Sequence, residues 1–482
     1  MAAAAPDPRR WKALAVLGVA YLMVVLDVSI VNVALPSIQT DLGFAPADLQ
    51  WVISGYALTF GGFLLLGGRT GDLLGRRRLF MVGLALFAAF SLLCGFSVSS
   101  GMLIAARALQ GAAGAILSPS VFSIVSVTFE EGAERNKALG ILGAIAGSGA
   151  AIGVLMGGVL TEYVGWEWIF FVNAPIGAAA LFFVPRVVRE SRADGLAQHF
   201  DAAGATTVTA SLMLLVYGLT QSPNVGWGSG RTIGVLLGSA VLMAAFIAIE
   251  RRSRSPLVPL GFFRRRTLAG ANLIGLLLGT MVFGMFFLLS LYMQQVLGFS
   301  AMKTGVGYLA VALTAIAASG VAQALVTKAG VKPILTMGMV LLGGGLVLFS
   351  QVSVDGSYVG DLLPGFILIG VGLGFAFVPV SIAALAGVTG AEAGLASGLI
   401  NTSQQIGGAL GLAILTTVST TRTGNLLEKG VDRATALTDG FRLAFWVGVG
   451  FAVVAAATTL LYLRREELAA PGLEEAVESA PA

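Results

Sequence analysis

Long apolar runs separated by short polar connections set the pattern of this chain. The runs lie near 13–35, 49–67, 79–98, 102–125, 138–160, 168–188 and 203–219, and again near 232–249, 268–293, 304–326, 333–352, 362–385, 395–418 and 441–463. A helix needs roughly 20 apolar residues to cross about 30 Å of hydrocarbon. Each run therefore predicts one membrane-spanning helix, fourteen in all, and the fold class is an all-α membrane protein.

Composition agrees. Of 482 residues 56% are apolar and only 11% charged, and the mean hydropathy is +0.89. A soluble chain of this length carries about a quarter charged residues, so lipid must act as the solvent. The 65 glycines fit, because small residues let helices approach closely where no hydrophobic effect drives them together. The first run follows Arg9, Arg10 and Lys12 and is too long for a cleavable signal core, so it is expected to stay as an anchor. Residues 464–482 form an Ala/Pro-rich acidic tail expected to be disordered.

Charge orients the spans. Three basic residues precede the first run, four follow the second, two the fourth, three the sixth, six the eighth, two the tenth, and two follow the last. The alternate connections hold only Arg231, Lys303, Arg422, Lys429, Arg433 and Arg442, and Arg107 falls inside a span. Lys and Arg accumulate on the cytoplasmic side, so both termini are expected in the cytoplasm of an inner-membrane protein. A basic pI of 9.3 does not indicate a nucleic-acid partner, since these residues are scattered and form no stripe.

The chain also repeats itself. Leu42, Gly43 and Phe44 recur as Leu297, Gly298 and Phe299, and Gly75, Arg77 and Gly83 recur as Gly330, Lys332 and Gly338, all at one offset of 255. Gly114 and Pro119 match Gly374 and Pro379 at an offset of 260. This predicts a cytoplasmic N-terminus (1–12), a six-helix bundle (13–188), a linker with two inserted helices (189–267), a second six-helix bundle (268–463) and the tail (464–482). Two such halves related by an axis along the membrane normal belong to one transporter architecture, with the substrate near midplane between them.

Ionisable groups inside the spans are few. Asp27 and Arg107 alone lie deep in a run. A carboxylate at that depth costs several kcal/mol unless it pairs, faces a cavity or takes a proton, which makes it a functional candidate. Its structural alternative is a partner for backbone or for Arg107. Arg107, Gln110, Gly111 and Gly114 share one helical face that must look at protein or water. A guanidinium keeps its proton, so Arg107 can tune an acid or clamp helices but carries no proton itself.

After the second run, Asp72 is framed by Gly68, Gly71 and Gly75 and followed by Arg76, Arg77 and Arg78. Positive-inside placement explains the arginines. It does not explain the framed acid, which suggests a tight turn where a carboxylate meets a helix N-terminus or a neighbouring Arg. In the fifth run Gly149, Gly153 and Gly157 form a four-residue ridge beside Gly158. That ridge suits either a sliding contact between helices or plain tight packing. Trp166, Trp168, Phe262 and Phe263 suit interfacial anchoring.

The motifs around Asp27, from Gly68 to Arg78, around Arg107, from Gly165 to Pro175 and from Asn401 to Gly411 resemble those of the major facilitator superfamily. In particular they are similar to the fourteen-helix drug:H+ antiporters, and the similarity covers roughly residues 10–465. The resemblance implies the major facilitator fold and a proton-coupled exporter of hydrophobic or amphipathic compounds such as antibiotics. It also implies a proton-coupling and substrate set of Asp27, Asn32, Arg107 and Gln110, and a cytoplasmic gate built on Gly68, Gly71, Asp72, Gly75, Arg76 and Arg77. Two positions depart from the family pattern: Val154 stands where proline usually follows the glycine, and Gln404 where arginine is common. The first removes a bend expected of the antiporter motif.

Two other classes compete. The same fold could serve uptake or facilitated diffusion. A polytopic enzyme would need a clustered nucleophile, base or metal site. One cysteine, Cys94, and one histidine, His199, exclude a multi-ligand metal centre, and no cofactor is expected. The expected partners are a small-molecule substrate, protons and the bilayer.

Overall fold

The computed structural model describes residues 9–129, 133–191, 201–253, 256–257, 260–386 and 393–463. Among them run fourteen long helices: α1 (Arg10–Leu42), α2 (Trp51–Leu74), α3 (Arg76–Gly95), α4 (Ser100–Thr128), α5 (Ala133–Tyr163), α6 (Trp168–Val187, with a turn at Val172) and α7 (Ala202–Val225). There follow α8 (Gly230–Arg252), α9 (Arg266–Leu291), α10 (Ala301–Ala329), α11 (Val331–Phe349), α12 (Leu363–Leu385), α13 (Ala393–Glu428) and α14 (Arg433–Tyr462). One-turn π segments extend α9 (Tyr292–Val296) and lead into α12 (Tyr358–Leu362). Eleven of the described helices are long and apolar enough to span; α2 and α5 carry shorter apolar stretches, Trp51–Leu64 and Ala151–Tyr163. The tail, with residues 1–8, lies outside the described residues.

Short connections force neighbouring helices antiparallel, and glycine makes the tightest of them. Gly43 and Gly298 end their helices at φ of 64° and 65°, and Gly75 and Gly330 turn between helices at 111° and 83°. These are the paired positions of the repeat, and residues with a Cβ rarely adopt that region. The repeat extends to packing. Gly111 of α4 lies against Tyr56 and Thr59 of α2, and Gly370 of α12 against Val311 and Thr314 of α10. Gly83 of α3 meets Leu117 of α4, as Gly338 of α11 meets Phe375 and Ala376 of α12.

Helix ends depart from the hydropathy reading where polar residues continue a helix. The last two spans, expected to end at 418 and begin at 441, run to Glu428 and from Arg433. Arg422 and Asp439 pair across this hairpin at 2.7 Å, and Asp432 caps α14 by accepting from the Thr435 amide at 3.0 Å. Helical hydrogen bonds need no lipid, so the helices continue beyond it. Trp166 is buried and donates to Asp41 at 3.0 Å, correcting its reading as an interfacial anchor, whereas Trp168 is half exposed.

The face carrying Arg9, Arg10 and Arg76–Arg78 is here the basic face. Toward the opposite face, Ile30–Ile38 of α1 and Val52–Ile53 of α2 share one core with α9–α14. Toward the basic face, the first bundle has a separate core of its own, from Ala13, Phe80 and Val121 to Val188. The halves therefore meet from the opposite face down to midplane. Gln294 donates to the Val33 carbonyl at 2.9 Å, Gln295 to Gln39 at 2.8 Å, the Met302 amide to Glu162 at 2.8 Å, and Thr402 to the Gly61 carbonyl at 3.2 Å.

The inserted helix α7 straddles one seam between the halves. Leu212 and Val216 pack with Ala57 and Leu58 of α2 and with Ala409 and Ala413 of α13. Gln50 donates to Thr220 at 3.0 Å and Thr417 to the Leu219 carbonyl at 3.3 Å. Helix α8 is tied to α7 by reciprocal bonds of Ser211 and Ser239, each hydroxyl donating to the other's carbonyl at 2.8 Å.

Candidate transport site

Helix α1 is apolar along nearly its whole length, yet it buries Asp27 completely. What makes this tolerable is α4. Its Arg107 is 1% exposed and donates through Nη1 to Asp27 Oδ2 at 2.5 Å and to Gln110 Oε1 at 2.7 Å, and through Nε to the Val52 carbonyl at 2.9 Å. Gln110 Nε2 donates to Asp27 Oδ1 at 2.7 Å, and Asn173 Nδ2 of α6 to the same oxygen at 3.1 Å. Asn173 also donates to Ser91 at 2.9 Å, whose hydroxyl donates to the Phe170 carbonyl at 2.8 Å. The guanidinium stands over the Tyr56 ring at 4.4 Å and the Phe170 ring at 5.6 Å.

Close approach of α2 and α4 makes the geometry possible. A Cβ at Gly111 would sit 2.3 Å from the Tyr56 carbonyl oxygen, and Thr59 donates to the Ala108 carbonyl at 2.7 Å. The close approach at Gly111 brings the Tyr56 ring under Arg107. The cluster is a charge-balanced pair whose carboxylate accepts three donors, the condition under which a buried ion pair persists.

Among the described residues the second bundle shows no equivalent. By the offset relating Gly111 to Gly370, Arg107 corresponds to Phe366, which is buried among Tyr308, Phe349 and Tyr358. The charged centre belongs to one half only.

Asp27, Arg107 and Gln110 thus come together as the spacing suggested, and Asn32 does not join them. Its amide donates to the Val28 and Ser29 carbonyls of its own helix at 3.2 and 3.5 Å, because five residues of helix turn it away from Asp27. The residues missed were Asn173, Ser91 and Tyr56. Asn173 carried a signal, an amide in the motif from Gly165 to Pro175; Ser91 and Tyr56 carried none. Cys94 is buried with its thiol 3.5 Å from Gln110.

At the basic face, α2 continues to Leu74, so the expected loop reduces to Gly75. The carboxylate described at the start of α3 is Glu190, which accepts from the Arg77 and Arg78 amides at 3.0 and 3.2 Å and stands 3.8 and 3.9 Å from their side chains. Arg76 donates to Ser123 at 2.6 Å. The side-chain surroundings of Gly68, Gly71 and Asp72 lie outside the described residues.

The ridge of Gly149, Gly153 and Gly157 packs on α1 inside the first bundle, where added Cβ atoms would meet Val25, Ser29 and Ile30 at 2.9, 1.9 and 2.6 Å. Gly158 faces the other half instead. A Cβ there would lie 2.8 Å from Met302 Cα, and one at Gly305 would lie 2.4 Å from the Val154 carbonyl oxygen. The contact between halves therefore runs along Val154 and Gly158, four residues apart, and not along the ridge. Near the basic face, an apolar groove of about 250 Å³ lies between α1 and α5, walled by Trp11, Leu14, Gly18, Leu22, Ile141 and Ile145.

Two pseudo-symmetric six-helix bundles, the first of them holding a buried charge centre, are the architecture of a membrane transporter. The family model described as Major Facilitator Superfamily matches residues 17–412, and the chain belongs to that superfamily. It is 40% identical to the puromycin resistance protein pur8 of Streptomyces alboniger over 93% of this chain and 89% of that protein. It is also 40% identical to the cephamycin export protein CmcT of Amycolatopsis lactamdurans, over 83% of each. Among solved structures, an inward-facing, unoccupied bacterial homologue of the human lysosomal transporter Spinster shares the fold at a TM-score of 0.69 and 16% identity, covering 97% of this chain and 100% of that one.

Proposed function

We propose that this protein is a proton-coupled exporter of hydrophobic or amphipathic small molecules, antibiotics among them, working by alternating access in the cytoplasmic membrane with both termini inside. The observation that carries the coupling is the Asp27 centre. All three donors to its carboxylate are amide or guanidinium N–H groups, so protonation removes the charge that balances the buried Arg107 and adds an O–H among donors that offer it no acceptor. A proton at Asp27 therefore weakens this packing of α1 against α4, which ties protonation to helix rearrangement.

Export is supported by the relatives, whose names record resistance or export for puromycin and cephamycin. The apolar groove at the basic face suits a lipophilic compound arriving from the cytoplasmic side. Closure at the opposite face and separate packing at the basic face correspond to a state that loads there. The test is efflux from proteoliposomes with an imposed pH gradient, using puromycin and a panel of lipophilic cations, comparing wild type with Asp27→Asn. Gradient-driven efflux that persists in Asp27→Asn removes the coupling role; accumulation in place of efflux removes the direction.

A further inference from the structure

Asp27 holds a proton-bearing role in the reading above, yet none of its three donors can hand a proton on at working pH. Amide N–H groups are not acids there, and a guanidinium stays protonated. A proton that leaves or reaches Asp27 needs a hydroxyl, a thiol or water beside the cluster. Ser91 is already engaged, accepting from Asn173 and donating to the Phe170 carbonyl. Cys94 has its thiol against Gln110.

Tyr56 differs. Its side chain is 2% exposed, its ring lies under the Arg107 guanidinium, and its hydroxyl has no protein hydrogen-bond partner. Asn173 Oδ1, on the other side of the same carboxylate, is likewise without one. Buried polar atoms of this kind are ordinarily satisfied, and where protein supplies nothing, an internal water does so. The direction of the phenol is informative. From a Cα five residues into α2 it passes Arg107 and brings its oxygen to Gly114, where an added Cβ would lie 3.0 Å away. Gly114 is seven residues beyond Arg107 along α4, about 10 Å nearer the basic face. The absence of a side chain there lets the hydroxyl and the Phe60 ring, each 3.0 Å from the same added Cβ, come close to the α4 backbone.

Resting on the assignment of Asp27 as the coupling acid, we propose that the Tyr56 hydroxyl binds internal water and relays the proton between Asp27 and the basic-face side. When the proton leaves Asp27 toward the basic face, the Asp27 O–H bond breaks as an adjacent water takes the proton. That water passes a proton to the phenol oxygen while the phenol's own proton moves to the next water, so Tyr56 ends neutral. The charged and titratable groups around it are Asp27 on α1, Cys94 on α3 and Arg107 on α4.

The test needs no transported compound. A pH jump on purified protein is followed by infrared absorption in the protonated-carboxyl region, with the Asp27 band assigned by its loss in Asp27→Asn. Tyr56→Phe keeps the ring under Arg107 and removes the oxygen. It is expected to keep the amplitude and midpoint of the Asp27 band and to slow its appearance by about tenfold or more, the scale of a lost proton-transfer group. Gly114→Ala, which brings a methyl within 3.0 Å of the hydroxyl and crowds any water bound to it, is expected to slow it as well. Tyr56→Phe is expected to melt with the wild type. Wild-type rates in both, at unchanged amplitude, overturn the relay while leaving Asp27 in place. A carboxyl band that survives in Asp27→Asn overturns the Asp27 assignment itself, and the relay with it.

Discussion

Gly305→Ala tests whether the contact between α5 and α10 is the moving one. The added Cβ would lie 2.4 Å from the Val154 carbonyl oxygen, 3.3 Å from its carbon and 3.6 Å from Gly158 Cα. That is roughly 1 Å short of a relaxed contact. Backbone on both sides cannot rotate away, so the helices must part. Overpacking of this kind costs about 1–3 kcal/mol. Because the clash is between bundles, it falls only on the state closed at this face, and the equilibrium should move toward opening there by about 5- to 150-fold. The assay is the distance distribution between spin labels at Val164 and Val359, both well exposed at the opposite face, with Lys137 and Lys328 labelled at the basic face in a second sample. The first distance should lengthen and the second shorten. Gly370→Ala is the control: its Cβ would meet Thr314 Oγ1 and the Val311 carbonyl oxygen inside one bundle, so it should lower the melting temperature without moving the labels. If Gly305→Ala behaves like the control, this contact is packing and no gate.

Four further outcomes are expected. Arg107→Ala should lose about 3–5 kcal/mol of stability by leaving Asp27 buried and unpaired, and adding Asp27→Asn should restore part of it; equal melting of single and double variants would sink the ion-pair account. Glu162→Ala should speed hydrogen exchange at the Met302 amide, whose acceptor it removes, while Glu162→Gln should keep most of the protection. Glu190→Ala should do the same at the Arg77 and Arg78 amides at the start of α3. Hydrogen bonds from Thr435 hold Asp432 below its ordinary carboxylate value of 3.8, so this cap is complete above that value and is lost as pH falls through the lower folded-state value. Exchange at the Thr435 amide should rise only in that acid range, and should be pH-independent of this effect in Asp432→Asn.

Much of this was legible beforehand because hydrophobic length and glycine placement are local properties. The repeat paired Gly43 with Gly298 and Gly75 with Gly330 by spacing alone, and both members of each pair adopt positive φ. The spacing of Arg107, Gln110, Gly111 and Gly114 placed them on one face, and they share it. What stayed hidden were partners from distant segments. Ser91 is an ordinary serine in an apolar run until α6 brings Asn173 against it, and Tyr56 is an ordinary span aromatic until Gly111 lets α2 press onto α4. Asn32 shows the converse: it sits beside Asp27 in the chain, but the helical turn carries it away and its own backbone satisfies it.

The glycine ridge shows the division most plainly. Sequence determined that one face of α5 would be smooth, since the absence of side chains at Gly149, Gly153, Gly157 and Gly158 is written in the chain. Only the tertiary structure decided that Gly149, Gly153 and Gly157 pack on α1 of the same bundle while Gly158 meets the other half at Met302. A smooth surface accepts any helix of suitable shape, so its periodicity names no partner. The partner follows from how the bundles assemble, through contacts between residues hundreds of positions apart, which a local pattern cannot encode.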